Sequence, residues 1–138
     1  MWAAEHDVET SASPERIWEL WADVPGWPEW NRDVAEAELD GAFTAGSTIR
    51  MASIDGDTVE LRIAEAEQPN GFVDEANLEG ITVRTIHRAE RLDSGRSRVL
   101  YRMELTGENA DSVGAELGPQ LSCDFPEVLA ALAALAER

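Results

Sequence analysis

Residues 11–31, SASPERIWELWADVPGWPEWN, hold four of the chain's five tryptophans, Trp18, Trp21, Trp27 and Trp30. A buried tryptophan hides roughly 150 to 250 Å² of surface, so four in one short stretch commit it to a wall of the core or of a cavity. The local grammar is helical. Ser13 can cap a helix, Pro14 suits its first turn, and Glu15 and Glu19 complement the positive end of its dipole. Ile17, Leu20, Trp21 and Val24 recur at helical spacing, and Pro25-Gly26 is expected to stop the helix before a second short turn through Trp27 and Trp30. Trp18 and Trp30 are read as packing, and Trp27 as lining the mouth of a cavity.

Most of the remaining chain alternates as strands do. Residues 2–10 suit a first strand, and residues 34–39 set Ala35, Ala37 and Leu39 on one side against Glu36 and Glu38 on the other. Residues 48–54 and 58–64 flank Asp55-Gly56-Asp57. A two-residue turn there would oppose Met51 to Glu60 and mix the faces, whereas a three-residue connection sets Met51 by Leu61 and Ile49 by Ile63. The inward side is then Ile49, Met51, Ser53, Val59, Leu61 and Ile63.

The next pair of strands, residues 72–78 and 81–92, is fixed by charge. With Glu79-Gly80 as a two-residue loop, Glu75 meets Arg84 on one face, an ion pair that belongs in water. The opposite face therefore points inward, pairing Leu78 with Ile81, Ala76 with Val83, Asp74 with Thr85 and Phe72 with His87. Asp93-Ser94-Gly95 fits a three-residue hairpin with glycine at its left-handed position, and residues 97–106 then put Tyr101 beside His87 and Met103 beside Thr85. Residues 111–137 read as a long helix that Pro119 and Pro126 should kink or split. Leu117, Leu121, Phe125, Val128, Leu132 and Leu135 are placed to lie across the sheet.

The wording of several segments is familiar. SASPERIWELWADVPGWPEWN resembles the A-S-P-E-x-V-W, D-V, W-P-x-W-N opening of the START-like, helix-grip SRPBCC superfamily, in particular its polyketide cyclase/dehydrase-like branch. ELDGAFTAGS is similar to that family's loop between the second and third strands, RLDSGRSRVLYRMELTG to its last hairpin, and LGPQLSCDFPEVLAALAALAE to its terminal helix. The resemblance implies one α+β domain over residues 1–138: a curved seven-stranded antiparallel sheet around a long C-terminal helix, with two short helices between the first and second strands. It also implies an elongated apolar cavity between sheet and helix, in a family whose members bind lipids, sterols and polyketides and include cyclases and dehydratases.

Composition removes other classes. The formal net charge of −17 repels nucleic acid and anionic membranes. All basic residues are arginine, which excludes Schiff-base chemistry and a phosphate-loop lysine. His6, His87 and Cys123 are too far apart for a zinc pattern, so neither metal nor cofactor is expected. Cys123 is read as packing and His6 as a surface or satisfied histidine. No secretory or membrane-spanning pattern is visible, which points to a cytoplasmic protein, monomeric or homodimeric.

The residues expected to line the cavity are Trp27, Met51, Leu61, Phe72, Asp74, Thr85, His87, Tyr101, Met103, Leu121 and Phe125. Asp74, Thr85, His87 and Tyr101 form its polar group, suited to orienting a ligand or to acid/base work on a carbonyl compound. Three functions remain open: a binder of a small hydrophobic molecule, a polyketide cyclase or dehydratase, and a protein-interaction module. The last would be marked by a collapsed interior and an exposed apolar patch.

Overall fold

The computed structural model describes residues 1–78 and 80–138. Strand β1 (Trp2–Thr10) leads into helix α1 (Pro14–Ala22) and a 3-10 helix (Val24–Glu29). Six strands come next: β2 (Val34–Asp40), β3 (Thr48–Ser53), β4 (Thr58–Glu67), β5 (Gly71–Leu78), β6 (Ile81–Arg91) and β7 (Ser97–Thr106). Helices α2 (Ala110–Ser122) and α3 (Phe125–Ala136) end the chain. The strands form one antiparallel sheet in the order β1-β7-β6-β5-β4-β3-β2, so β2 to β7 meander and β1 closes the sheet against β7. Bulges in β2 and β4 bend it.

The Ser13 Oγ accepts from the Arg16 N–H at 3.2 Å, capping α1. The helix ends earlier than the Pro25-Gly26 break expected from the sequence. Val24 precedes a proline and so disfavours the α conformation. The chain turns at Asp23 instead, and Pro25-Gly26 fall inside the 3-10 helix.

The charge-fixed pair of strands has the expected register, with Phe72 opposite His87, Asp74 opposite Thr85 and Glu75 opposite Arg84. The Arg84 guanidinium reaches Glu75 at 2.9 Å on the outer face. His87 stands opposite Tyr101, and Thr85 opposite Met103. Glu79, half of the expected loop, lies outside the described residues. The β3–β4 register differs. Ser53 N–H donates to the Asp57 carbonyl at 2.7 Å, so the three-residue connection is Ile54-Asp55-Gly56, one position earlier than expected. Each pair slips by two, setting Met51 opposite Val59 and Ile49 opposite Leu61. Slipping by two preserves the faces, but it leaves Ile54 at the tip, 63% exposed. In β2 the bulge takes up Ala35 as its extra residue, so Val34 and Ala37 are buried while Ala35 faces out.

The terminal helix is split at Cys123 and Asp124, just before Pro126, while Pro119 is accommodated inside α2. Cys123 is exposed at that break, contrary to its reading as packing. Phe125, Val128 and Leu132 of α3 are buried as expected. In α2 the buried face is instead Ala110, Gly114, Gly118 and Ser122, and Leu117 and Leu121 are only half-buried. The cause is Trp2, whose side chain lies against the glycines; a Cβ at Gly118 would stand 2.5 Å from its indole. Helix α2 packs on β1 and β7, α3 packs on β1 and on helix α1, and the 3-10 helix packs on β2.

Candidate functional site

Because α2 and α3 pack toward the β1 edge of the sheet and the 3-10 helix toward the β2 edge, the inward side chains of the strands between them meet open space. A cavity of about 320 Å³ remains there. The inner strands supply Met51, Leu61, Phe72, Asp74, Thr85, His87, Tyr101 and Met103, the helix break adds Leu121 and Phe125, and the 3-10 helix adds Trp27. These are the residues named from the sequence, and all line the same space. Val59, Ala76, Leu78 and Val83 join them; their inward parity was visible in the strands. Trp30 also lines the cavity rather than only packing, together with Asn31, Asp124 and Val128. Nothing in the sequence marks Asp124, which reaches the cavity only because the helix breaks there. A shallower cleft of about 290 Å³ shares Asn31, Met51, Val59, Leu121, Asp124 and Phe125 with the cavity, so these residues form its mouth.

The polar group sits in an aromatic cage. The His87 ring stacks on Phe72 with centroids 3.9 Å apart and meets the edge of Tyr101 at 4.6 Å. Its Nδ1 lies 3.2 Å from the Phe72 carbonyl, which can only accept, so the proton is on Nδ1 and Nε2 carries a free lone pair. Burial lowers the imidazole from 6.5 to about 3, with the Phe72 bond opposing; the ring is neutral at physiological pH. The tautomer is therefore set by Phe72, not by Asp74, whose Oδ2 is 3.9 Å from Nε2, beyond hydrogen-bond reach.

Asp74 is 5% exposed and, among the described residues, accepts no hydrogen bond from any side chain. Burial raises its carboxyl from 3.8 to about 7, and the charge of Glu75 adds to this. Tyr101 accepts from the Trp21 indole N–H at 3.1 Å, leaving its own proton free to donate, and burial pushes its ionisation upward. Among the described residues no fully sealed side-chain nitrogen or oxygen lacks a partner, so the free atoms of Asp74 and His87 face the cavity. Asp124 at the mouth is raised from 3.8 to about 6, by burial first and then by the carboxyl of Asp33 beside it. An apolar chamber thus carries a carboxyl that changes charge near neutral pH, a neutral imidazole acceptor and a phenol donor. No group of three or more His, Cys, Asp or Glu among the described residues is arranged to hold a metal ion.

The family model described as polyketide cyclase/dehydrase and lipid transport matches residues 1–137. The chain belongs to this family. The Zhui aromatase/cyclase from Streptomyces sp. R1128 superposes with a TM-score of 0.80 at 17% identity, covering 99% of this chain and 93% of that one. The di-domain aromatase/cyclase BexL of the BE-7585A biosynthetic pathway gives 0.78 at 17% identity, with 97% of this chain aligned to 46% of that one. This chain thus spans about half of BexL. Truncated norcoclaurine synthase from Thalictrum flavum gives 0.76 at 12% identity, over 96% and 91% of the two chains. At such identities these likenesses speak for the fold, and the fold of this family member is the helix-grip one: a bent antiparallel sheet closed by broken C-terminal helices. No curated protein matches the sequence. Among the described residues no helix is long and apolar enough to cross a membrane.

Proposed function

We propose that this member of the polyketide cyclase/dehydrase and lipid transport family binds a small hydrophobic molecule, lipid- or polyketide-like, between its sheet and its C-terminal helices. One observation carries the reading: the interior stays open as a cavity of about 320 Å³, walled by apolar and aromatic side chains around a few convergent polar atoms. That is the build of small-molecule sites, at the small end of their usual range of roughly 300 to 1,000 Å³. A collapsed interior, which an interaction module would show, is not what the chain forms. Titration with apolar fluorophores should give saturable binding with a shift in tryptophan emission, since Trp27 and Trp30 stand in the wall. A flat response across chemically diverse hydrophobes would remove the reading.

A second reading, a cyclase or dehydratase, is favoured by Asp74. A carboxyl at about 7 is matched to proton transfer near neutral pH, whereas an imidazole at about 3 is a weak base. Asp74, rather than His87, is then the group that would take an α-proton from a carbonyl substrate, with the Tyr101 hydroxyl donating to the oxygen on which charge develops. Solvent deuterium exchange into a 1,3-diketone bound by the protein tests it. Exchange that persists in Asp74→Asn, or none in the wild type, rejects this role.

A further inference from the structure

The cavity's polar atoms are one-sided, and this says more about its occupant than its apolar wall does. Resting on the small-molecule reading above, we infer that the cavity selects a compact aromatic or polycyclic molecule bearing a protonated amine and rejects carboxylates. The charged side chains on its surface are Asp74 and Asp124; no arginine of the described residues reaches it, and the chain has no lysine. Asp74 and the Nε2 of His87, 3.9 Å apart, both offer lone pairs to one point in the chamber. A group that donates two hydrogen bonds fits between them. An ammonium does so and also supplies the counter-charge that the unpartnered carboxyl lacks.

The walls suit the same ion. The faces or edges of Phe72, Tyr101, Phe125, Trp27 and Trp30 surround the chamber, and aromatic rings attract a desolvated cation. A carboxylate would find only neutral donors, the hydroxyls of Tyr101 and Thr85, the amide of Asn31 and the indole N–H of Trp30, beside two acids. Burying an anion there without a cation is costly. The volume favours a few fused or linked rings over a long acyl chain.

An isosteric trio tests this: 1-naphthylmethylamine, 1-naphthalenemethanol and 1-naphthoate, titrated calorimetrically into the full chain at about pH 8 and near-physiological ionic strength. The amine should bind roughly tenfold to a hundredfold more tightly than the alcohol, and the carboxylate more weakly than either. In Asp74→Asn the amine should lose its advantage over the alcohol. That variant keeps the acidic surface, so it separates the buried carboxyl from general attraction of cations. Equal binding of amine and alcohol, or an amine preference undiminished in Asp74→Asn, overturns the inference and leaves the apolar cavity standing. Tightest binding by the naphthoate overturns it likewise. Failure of all three to bind removes the small-molecule reading and this inference with it.

Discussion

Asp74→Asn should stabilise the folded protein at neutral and alkaline pH, by an amount that shrinks as the pH falls. Burial raises the Asp74 carboxyl from 3.8 to about 7, so across that window the folded chain holds a proton that the unfolded chain has released. Stability from this group is therefore present at low pH and is lost as pH rises through the window, at about 1.36 kcal/mol per unit. Between about pH 5 and the folded value near 7 the loss is roughly 2.7 kcal/mol, and an asparagine cannot show it. His87 works in the opposite sense. Its folded value is lowered from 6.5 to about 3, so its contribution is present above 6.5 and is lost as pH falls toward 3. Where the windows overlap, between 3.8 and 6.5, the two slopes cancel and the wild type shows little pH dependence from this pair. The difference between variant and wild type isolates Asp74, because His87 is common to both. Urea unfolding of the two proteins should give a stability difference that grows by roughly 2 to 3 kcal/mol from about pH 5 to about pH 8. A difference constant with pH, or one that shrinks on raising it, would refute the claim that Asp74 stands unpartnered in the fold.

Ser13→Ala removes the oxygen that accepts from the Arg16 N–H and should cost about 1 kcal/mol, read as a lowered thermal midpoint. Gly118→Ala places a Cβ 2.5 Å from the Trp2 indole. It should destabilise by about 1 to 3 kcal/mol in chemical denaturation, and pairing it with Trp2→Ala should recover part of the loss if that contact is the cause. Trp21→Phe, at a fully buried position, removes the N–H that Tyr101 accepts. Its cost is expected at about 1 to 3 kcal/mol by the same measurement, with weaker probe binding as the Tyr101 ring loosens.

The sequence was most legible where charge and turn chemistry agreed. Glu75 opposite Arg84 settled which side of β5 and β6 faces inward, and that parity alone brought Asp74, Thr85, His87 and Tyr101 together. The same turn rule was available at β3–β4 and would have corrected the register. Glycine takes the third, left-handed position in both hairpins, Gly95 with φ +79° and Gly56 with φ +94°, so Ile54-Asp55-Gly56 is the loop that matches Asp93-Ser94-Gly95. Bulges left no such mark. Ala35 looks like a core residue by alternation, and only the pairing partner shows that it is the extra one. Protonation was hidden too, because the desolvation that shifts Asp74 and His87 apart depends on how completely neighbouring elements enclose them.

The stripe of small residues in α2 bears on why there is a cavity at all. By hydrophobic spacing Leu117 and Leu121 should have turned toward the sheet and helped fill it. Gly114 and Gly118 instead let the helix settle on Trp2 of the edge strand, which rotates those leucines to half-buried positions and leaves Leu121 at the mouth. The break at Cys123 and Asp124 then lets α3 take its own course, burying Phe125, Val128 and Leu132 over β1 and β7. Both helices are thus held at the β1 side, while the tryptophan-rich segment guards the β2 side. Trp21 of α1 and Phe125 of α3 touch part of the inward face, at Phe72, His87 and Tyr101, but no helix fills the space over the strands beyond them, and the chamber is what remains. The Asp74 carboxyl and the Nε2 of His87 stay unpaired for the same reason, since the element that would have covered them is anchored elsewhere.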